Sequence, residues 1–283
     1  MSASNPTPSN PASWSSSYRL VAAEKWKAKS AMMGSAVTQG LVEYARPLPG
    51  MRVLDLASGT GEPAISLAAR VGPQGSVTAV DQSSELLGIA SERARNKKLA
   101  NLVTQQADAH QLPFADRSFD LATCRFGVMF FEEGALHEAH RVLKNGARAC
   151  FAAWGPFEQP YWSTMMGIVH KHVGGPLLPA GQNPFKYSQR GSLSAALREA
   201  GFEVEEETRN VPWTWPGTPE EVWEQAQAVT TPFLPMLQRV PREEWERINR
   251  EVLAAVRRYV DGGSVKFGAV VVLAAGTKGG DPA

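Results

Sequence analysis

The sequence predicts a doubly wound α/β fold with seven strands in a mostly parallel sheet and with helical lid insertions. The first observation is that short apolar strands alternate with amphipathic helices from residue 50 to residue 156, a pattern typical of parallel strands joined by right-handed crossovers. The second is the segment 53–64, VLDLASGTGEPA, where a strand, a turn of small residues and a helix start follow one another. Glycine permits such a turn and lets a ligand approach the backbone, and Pro63 suits a first helical turn.

The first half of the chain carries five strands and three helices, predicted from hydrophobic periodicity. Ser83 or Ser84 is expected to cap the helix that follows the second strand. Asn145 and Gly146 are expected to stop the third helix. The predicted strands are 53–56, 76–81, 102–109, 119–124 and 147–153, and the predicted helices are 64–71, 83–94 and 134–143.

The alternation breaks after residue 156, where two segments rich in aromatic residues, Met and Pro separate the remaining core elements. Thr218 and Glu221 form the capping pattern that starts a helix. These segments form either an apolar lid over a ligand cleft or ordinary peripheral helices, and the sequence does not separate the two. Strands are predicted at 202–211 and 265–275, and helices at 192–200, 218–229 and 243–260. The predicted divisions are a disordered tail 1–17, an N-terminal helical lid or edge segment 18–49, a ligand-binding core 50–156, helical insertions 157–190 and 213–262, and remaining core elements in 191–212 and 263–277.

The composition argues against several classes of function. The 283 residues are 43% hydrophobic and 20% charged, as in ordinary globular proteins, and the net charge of +1 argues against a nucleic-acid partner. No apolar run is long enough to span a membrane and no secretory signal is recognisable, so we expect a cytoplasmic protein. Cys124 and Cys150 lie in apolar strands and are expected to be buried thiols. No metal is expected, because the sequence lacks a cluster of metal-ligating residues; the oligomeric state stays open, with a homodimer as one alternative.

Four polar residues stand at the carboxyl ends of four predicted strands: Asp55, Asp81, Asp108 and Arg125. In open α/β sheets, ligands bind in the crevice at these strand ends. We therefore expect the four side chains to converge on one cleft. The alternative for each aspartate is that it only caps the helix that follows it.

The glycine turn by itself is compatible with a dinucleotide site. Residues 59–64 fit the pattern G-x-G-x-x-A, and Asp81 follows at a suitable distance. Against this, Asp55 precedes the turn, where a nicotinamide site usually has a small or apolar residue. In addition, the third strand ends in Asp108, a carboxylate that a pyrophosphate does not require.

Taken together, the motifs resemble those of the class I S-adenosylmethionine-dependent methyltransferases, of the type 11 family that includes the ubiquinone/menaquinone C-methyltransferases. The similarity covers residues 50–155 and departs from the family pattern at Ala57, where a glycine is common, and at residues 145–147, where Pro-Gly-Gly is common. The matching motifs are VLDLASGTG at 53–61, AVDQS at 79–83, DAHQLPF at 108–114, SFD at 118–120 and RVLKNG at 141–146.

The resemblance implies a Rossmann-like sheet, S-adenosylmethionine as the cofactor and a role for each matching position. The turn would cradle the methionine and ribose portions, Asp55 would lie near the amino group, and Asp81 would accept from the ribose hydroxyls. Asp108 and the Ala109 N–H would read the adenine. The implied cofactor-binding set is Asp55, Ala57, Ser58, Gly59, Gly61, Asp81, Gln82, Leu86, Asp108, Ala109, Arg125, Phe126 and Trp26.

The acceptor is expected to be a small, apolar or aromatic molecule, methylated at carbon or oxygen. A catalytic residue is not identified; His110, His170 and His172 are candidates for a general base, each weighed against a structural role. The two alternatives to methyl transfer are an NAD(P)-dependent oxidoreductase and a cofactor-binding protein without catalysis. The expected acceptor-binding residues are Tyr18, Phe126, Tyr161, Trp162, Phe185, Trp213 and Phe233.

Overall fold

A computed structural model describes the backbone of residues 16–280 and the side chains from residue 25 onward. The predicted disorder of residues 1–15 falls outside the described residues, whereas residues 16 and 17 belong to a helix. The described chain divides into two compact units. The sheet unit comprises residues 33–157, 184–212 and 269–280, and the helical unit comprises residues 16–32, 158–183 and 213–268.

The secondary-structure elements follow the predicted alternation closely through the first half of the chain. The long N-terminal helix is divided at Gly34 into two helices. The helices are α1 Ser16–Met33, α2 Ser35–Ala45, α3 Ala64–Val71, α4 Ser84–Asn96, α5 Glu133–Val142, α6 Pro160–Val173, α7 Ser192–Glu199, α8 Pro219–Val229, α9 Leu234–Gln238 and α10 Trp245–Val256. The strands are β1 Arg52–Leu56, β2 Ser76–Asp81, β3 Leu102–Gln106, β4 Phe119–Arg125, β5 Leu143–Trp154, β6 Phe202–Trp215, β7 Val260–Asp261 and β8 Ser264–Lys278.

The strands form a mixed sheet in the order β3-β2-β1-β4-β5-β8-β6, with β7 paired to β8 beside this path. Strands β1 to β5 pair in parallel, and β8 runs antiparallel to β5. The α/β class is confirmed, but the predicted count of seven strands is wrong by one. The additional strand, β7, is two residues long and folds back on β8 through Gly262 and Gly263, whose positive φ angles of 58° and 76° allow the tight turn.

The parallel register brings the carboxyl ends of four strands to one edge of the sheet. Asp55 of β1 lies opposite Ala79 of β2 and Thr123 of β4, and Asp81 ends β2 opposite Gln106. The prediction that the third strand extends to Asp108 is wrong, because pairing with β2 ends at Gln106. Asp108 lies in the following loop, in an isolated bridge with Gln111.

Burial explains why the central strands and their helices form where they do. Strand β1 is buried at four of its five positions, as expected for a parallel strand covered on both faces. Helix α3 buries the face formed by Ala64, Ile65, Leu67, Ala68 and Val71. Cys124 and Cys150 are buried free thiols, as predicted.

The segment at Asn145 and Gly146 differs from the prediction. Helix α5 ends at Val142, and the residues after it already belong to β5. Pairing with β4 jumps from Leu143 to Arg148, so the intervening residues form a bulge in which Gly146 has φ +75°. The predicted turn is thus accommodated inside an irregular strand.

The helical unit is held together by aromatic side chains and capped helices. Thr218 and Glu221 form the predicted reciprocal capping box at the start of α8. Helices α6 and α8 both pack against α10, which buries Trp245, Ile248, Val252 and Val256. None of the helices between residues 16 and 280 has the length and apolar character needed to cross a membrane.

Candidate functional site

A cavity with a volume of about 200 Å³ opens at the strand-end edge of the sheet unit. Its lining includes five of the residues that the sequence proposed for cofactor binding and six residues that the sequence did not propose for that role. The proposed residues in its lining are Ala57, Asp81, Gln82, Asp108 and Ala109. The others are Val80, Ala107, His110, Gly127, Phe130 and Phe131.

The turn between β1 and α3 has the backbone conformation that its small residues allow. Ala57, Gly59 and Gly61 have φ angles of +51°, +51° and +106°. At Gly61 a side chain would also collide, since a Cβ there would lie 2.9 Å from the Cδ1 atom of Ile65. The turn therefore depends on residues that tolerate positive φ, and at Gly61 it leaves no room for a side chain.

Asp81 links this turn to the start of α4. Its Oδ2 accepts a hydrogen bond from the Gly59 N–H at 2.9 Å, and its Oδ1 accepts from the Ser83 N–H at 2.9 Å. The cap of α4 is Ser83, whose hydroxyl accepts from the Leu86 N–H, so Asp81 is not the capping residue. Backbone donors thus hold the Asp81 carboxylate at the edge of the cavity.

Arg93 of α4 holds the other side of the glycine turn. Its guanidinium donates to the Thr60 carbonyl at 2.5 Å and to Glu62 Oε1 at 3.1 Å, and Ser66 also donates to Glu62. The ion pair is shielded, with side chains only 14% and 11% exposed. Sequence reasoning missed Arg93, because an arginine on an amphipathic helix normally indicates only a solvated face.

Asp108 is fixed by its neighbour His110. The His110 backbone N–H donates to Asp108 Oδ1 at 2.9 Å, and the ring Nδ1 lies 2.7 Å from the same oxygen. These two hydrogen bonds hold the pKa of the Asp108 carboxyl below its usual value, and the backbone hydrogen bond has the larger effect. Asp108 is therefore an anionic acceptor on the cavity wall at neutral pH.

Asp55 lies behind the cavity lining and is fully buried. Thr123 donates its hydroxyl to Asp55 Oδ1 at 2.7 Å. Burial raises the pKa of the Asp55 carboxyl to about 7, although the Thr123 hydrogen bond and the positive charge of Arg125 act in the opposite direction. Of the four strand-end residues, Asp81 and Asp108 line the cavity and Asp55 does not.

Arg125 ties the end of β4 to α2. Its guanidinium donates to the Thr38 hydroxyl at 2.6 Å, and burial holds its pKa below the usual value. Arg125 is not part of the cavity lining, and neither is its neighbour Phe126, which stacks on Trp154 with ring centroids 4.2 Å apart. The predicted convergence of all four strand ends on one cleft is therefore only half realised in the cavity itself.

Gly127 is the clearest residue that sequence reasoning missed. A Cβ atom at this position would overlap the Ala57 side chain and Cys124 Sγ. Phe130 and Phe131 follow and form the apolar wall of the cavity. A signal was present in the sequence, since Gly127 comes two residues after the strand end at Arg125, where glycine often marks close approach of another chain segment or a ligand.

The remaining proposed residues occupy other places. Ser58 is buried within the turn, Leu86 lies in the first turn of α4, and Phe185 packs edge-on against Phe157 of the sheet unit. The Tyr18 side chain lies outside the described residues. Five of the proposed aromatic residues belong to the helical unit. Trp26 packs on Trp215. The other four form one cluster, made of Tyr161, Trp162, Trp213 and Phe233.

The three histidine candidates all hydrogen-bond to protein groups. His110 contacts Asp108 and the Glu132 N–H, His170 Nε2 lies 2.9 Å from the Gly175 carbonyl, and His172 lies between Glu251 and Arg247. These contacts favour structural roles, and no catalytic base is assigned. In the part of the chain that the structure describes, no group of three His, Cys, Asp or Glu side chains is arranged to hold a metal ion.

Comparisons with known proteins point to one family. A family described as "Methyltransferase domain" matches residues 53–146. The ubiquinone/menaquinone biosynthesis C-methyltransferase UbiE of Rhizobium meliloti is 34% identical over 191 residues, which cover 62% of this chain and 70% of that protein. UbiE of Rhizobium leguminosarum bv. trifolii is 34% identical over 171 residues, covering 56% of this chain and 66% of that protein. The chain thus matches just under two thirds of the second relative's length.

A solved structure supports the same fold. The YcgJ protein from Bacillus subtilis superposes with a TM-score of 0.57 at 21% sequence identity. The alignment covers 86% of this chain and 98% of that protein. At this identity the likeness bears on the fold alone.

Proposed function

Since the chain belongs to the class I S-adenosylmethionine-dependent methyltransferases, we propose that it transfers a methyl group to a small, apolar or aromatic acceptor. S-adenosylmethionine is the cofactor. In this proposal, the methyl group is transferred to a carbon or an oxygen atom of the acceptor. The Rhizobium relatives are named for ubiquinone and menaquinone biosynthesis, so quinone-type aromatic rings are one acceptor class to test.

One observation carries this proposal. Two carboxylates, Asp81 and Asp108, follow neighbouring strands and face one cavity beside a glycine turn. Carboxylates accept hydrogen bonds from hydroxyl and amino groups, which the ribose and the adenine of the cofactor carry. In this proposal Asp81 holds the ribose, Asp108 and the Ala109 N–H read the adenine edge, and Phe130 and Phe131 cover its face.

The buried polar atoms near the glycine turn also fit the cofactor. Asp55 Oδ2, Ser58 Oγ and Arg125 Nε are buried and have no hydrogen-bond partner among the described residues. Native proteins rarely leave such atoms unsatisfied. The methionine portion of the cofactor carries an ammonium and a carboxylate, which match an acidic acceptor and a basic donor. This complementarity supports assigning Asp55, Ser58 and Arg125 to that end of the site.

The proposed role of the protein is to orient the reactants and to exclude water. When bound, S-adenosylmethionine supplies an electrophilic methyl group on a positively charged sulfur. Asp81 and Arg93 hold the glycine turn in one conformation beside the cavity. The Thr123 hydroxyl holds Asp55, and Phe130 and Phe131 shield the cavity wall from solvent.

We assign the acceptor to the aromatic residues proposed from the sequence. Tyr161, Trp162, Trp213 and Phe233 form a cluster of buried rings in the helical unit, and such rings favour apolar and aromatic ligands. Transfer of a labelled methyl group to a panel of phenols and quinols tests this assignment. Trp213→Phe is expected to raise the KM for the accepted compound several-fold while the affinity for S-adenosylhomocysteine stays unchanged. Equal loss of both would contradict the assignment.

The cofactor is tested by calorimetric titration of the full chain with S-adenosylmethionine, S-adenosylhomocysteine and NAD. We expect the first two to bind in the micromolar range and NAD not to bind. Asp81→Asn is expected to weaken binding at least about tenfold, because it removes a charged acceptor from the cavity. Asp261→Asn, on an exposed hairpin of the helical unit, is the matched control. Binding of NAD alone would favour the oxidoreductase, and cofactor binding without methyl transfer to any acceptor would favour the non-catalytic alternative.

A further inference from the structure

His110 makes two different hydrogen bonds on opposite sides of its ring. On one side, Nδ1 lies 2.7 Å from Asp108 Oδ1. On the other side, Nε2 lies 3.0 Å from the backbone nitrogen of Glu132, which can only donate. The ring is half-shielded, with 31% of the side chain exposed.

These partners determine the tautomer of the ring. Because the Glu132 N–H donates, Nε2 must carry a lone pair, and the proton must therefore be on Nδ1. The Nδ1–H then donates to Asp108. The His110 backbone N–H also donates to Asp108, and both His110 donors contact the same oxygen, Oδ1. His110 therefore does not engage the other carboxylate oxygen, Oδ2.

The two partners belong to different walls of one cavity. Asp108 is on the polar wall, and Glu132 directly follows Phe130 and Phe131 on the apolar wall. The Phe131 ring meets His110 edge-on at 6.1 Å, and its carbonyl accepts from Lys186 at 3.0 Å. His110 therefore connects the Asp108 carboxylate on the polar wall to the Phe130–Glu132 segment on the apolar wall.

We propose that His110 is a positioning residue that sets the selectivity of the cavity for a 6-aminopurine over a 6-oxopurine. This inference rests on the proposed function. Adenine offers a donor at its amino group and an acceptor at N1, which complement Asp108 and the Ala109 N–H. Hypoxanthine reverses both, with an acceptor at O6 and a donor at N1, so a rigidly held Asp108 rejects it.

Two substitutions separate the two hydrogen bonds. In His110→Asn, the side-chain amide can replace the Nδ1 donor beside Asp108 but cannot reach Glu132. In His110→Gln, the terminal amide oxygen reaches toward the Glu132 N–H, and the donor beside Asp108 is lost. His137→Gln is the matched control, because this α5 histidine lies outside the cavity lining and its Nδ1 is 3.0 Å from the Glu133 carbonyl of its own helix.

The experiment is calorimetric titration of each full-length variant with S-adenosylhomocysteine and with S-inosylhomocysteine. For His110→Gln we expect about a tenfold loss of S-adenosylhomocysteine affinity and a similar loss of the preference for adenosyl over inosyl ligand. For His110→Asn we expect about a fivefold loss of S-adenosylhomocysteine affinity, because the hydrogen bond to the Glu132 N–H on the apolar wall is lost. The preference for adenosyl over inosyl ligand should stay unchanged, because the donor beside Asp108 is kept. The effects of His110→Gln and Asp108→Asn on the preference should not add in the double variant, because both act through one carboxylate.

The outcomes separate this inference from the function on which it rests. If the unmodified protein does not bind S-adenosylhomocysteine, the proposed function fails. If it binds and both His110 variants keep the full adenosyl preference, the inference fails and the proposed function stands. Equal loss in the Asn and Gln variants, tracking a lower melting temperature without a change in preference, would make His110 a purely structural residue.

Discussion

The two units of the molecule place their polar and apolar groups in opposite ways. In the sheet unit, carboxylates at strand ends are held by backbone N–H groups, as Asp81 is by Gly59 and Ser83. In the helical unit, the buried surface is made of rings that meet edge-on or stacked, such as Tyr161 on Trp213 and Trp162 on Phe233. The first arrangement specifies a ligand through directional contacts, whereas the second provides apolar surface with little directionality. The chemical groups of a ligand can therefore be inferred more specifically from the sheet unit than from the helical unit.

The largest expected effect comes from breaking the aromatic cluster. Phe233 is fully buried and stacks on Trp162 with ring centroids 5.4 Å apart. Phe233→Ala is expected to lower the free energy of unfolding by about 3–4 kcal/mol through lost burial and a cavity. Urea unfolding measures this change, with Phe130→Ala at a 44% exposed ring as the comparison. At a temperature where the variant is folded, its affinity for S-adenosylhomocysteine should match that of the unmodified chain; a large loss would mean that the two units do not have separate roles.

In the sheet unit, the buried Asp55 carboxyl is expected to make the stability of the protein depend on pH. Because burial raises the pKa of the folded carboxyl to about 7 from its ordinary value of 3.8, the folded protein binds more protons than the unfolded chain between these pH values. The contribution of Asp55 to stability is therefore present at low pH and is lost as pH rises toward 7.

Asp55→Asn removes this dependence and keeps an acceptor for Thr123. Relative to the unmodified protein, the variant should gain stability by about 3 kcal/mol as pH rises from 4 to 7, and the gain should level off about one pH unit higher. Urea midpoints without cofactor measure the gain. Asp261→Asn should show no such rise, since the pKa of that exposed carboxyl is lowered by its Lys266 hydrogen bond. A flat difference for Asp55→Asn would contradict the raised pKa.

A smaller effect is expected at the clamp on the glycine turn. Arg93→Ala removes the hydrogen bond to the Thr60 carbonyl and the shielded ion pair with Glu62. We expect a loss of about 1 kcal/mol in stability and about a tenfold loss of S-adenosylhomocysteine affinity, because the turn is no longer held in place. Arg95→Ala, an exposed arginine two residues along α4, is the control and should change neither. Equal affinities for the two variants would show that Asp81 alone positions the turn.

Features that depend on residues close together in the chain could be predicted from the sequence. The glycine turn, the first two helices of the core, the Ser83 cap and the Thr218–Glu221 capping box all lie where local patterns place them. These features follow from backbone conformation and from hydrogen bonds within a few residues, which a short segment encodes. The alternation of strands and helices likewise sufficed for the α/β class, because crossover handedness leaves few topologies.

Contacts between distant segments of the chain determine which groups line the cavity, and the sequence did not predict them. The contacts of Arg93 with Thr60 and of His110 with Glu132 join residues 33 and 22 positions apart. The two-residue strand β7 and the bulge before Arg148 depend on pairing partners in other strands. Asp55 has a strand-end position like that of Asp81, yet it is fully buried and accepts a hydrogen bond from Thr123 of the neighbouring strand. Such outcomes depend on packing between distant segments, which no local pattern specifies.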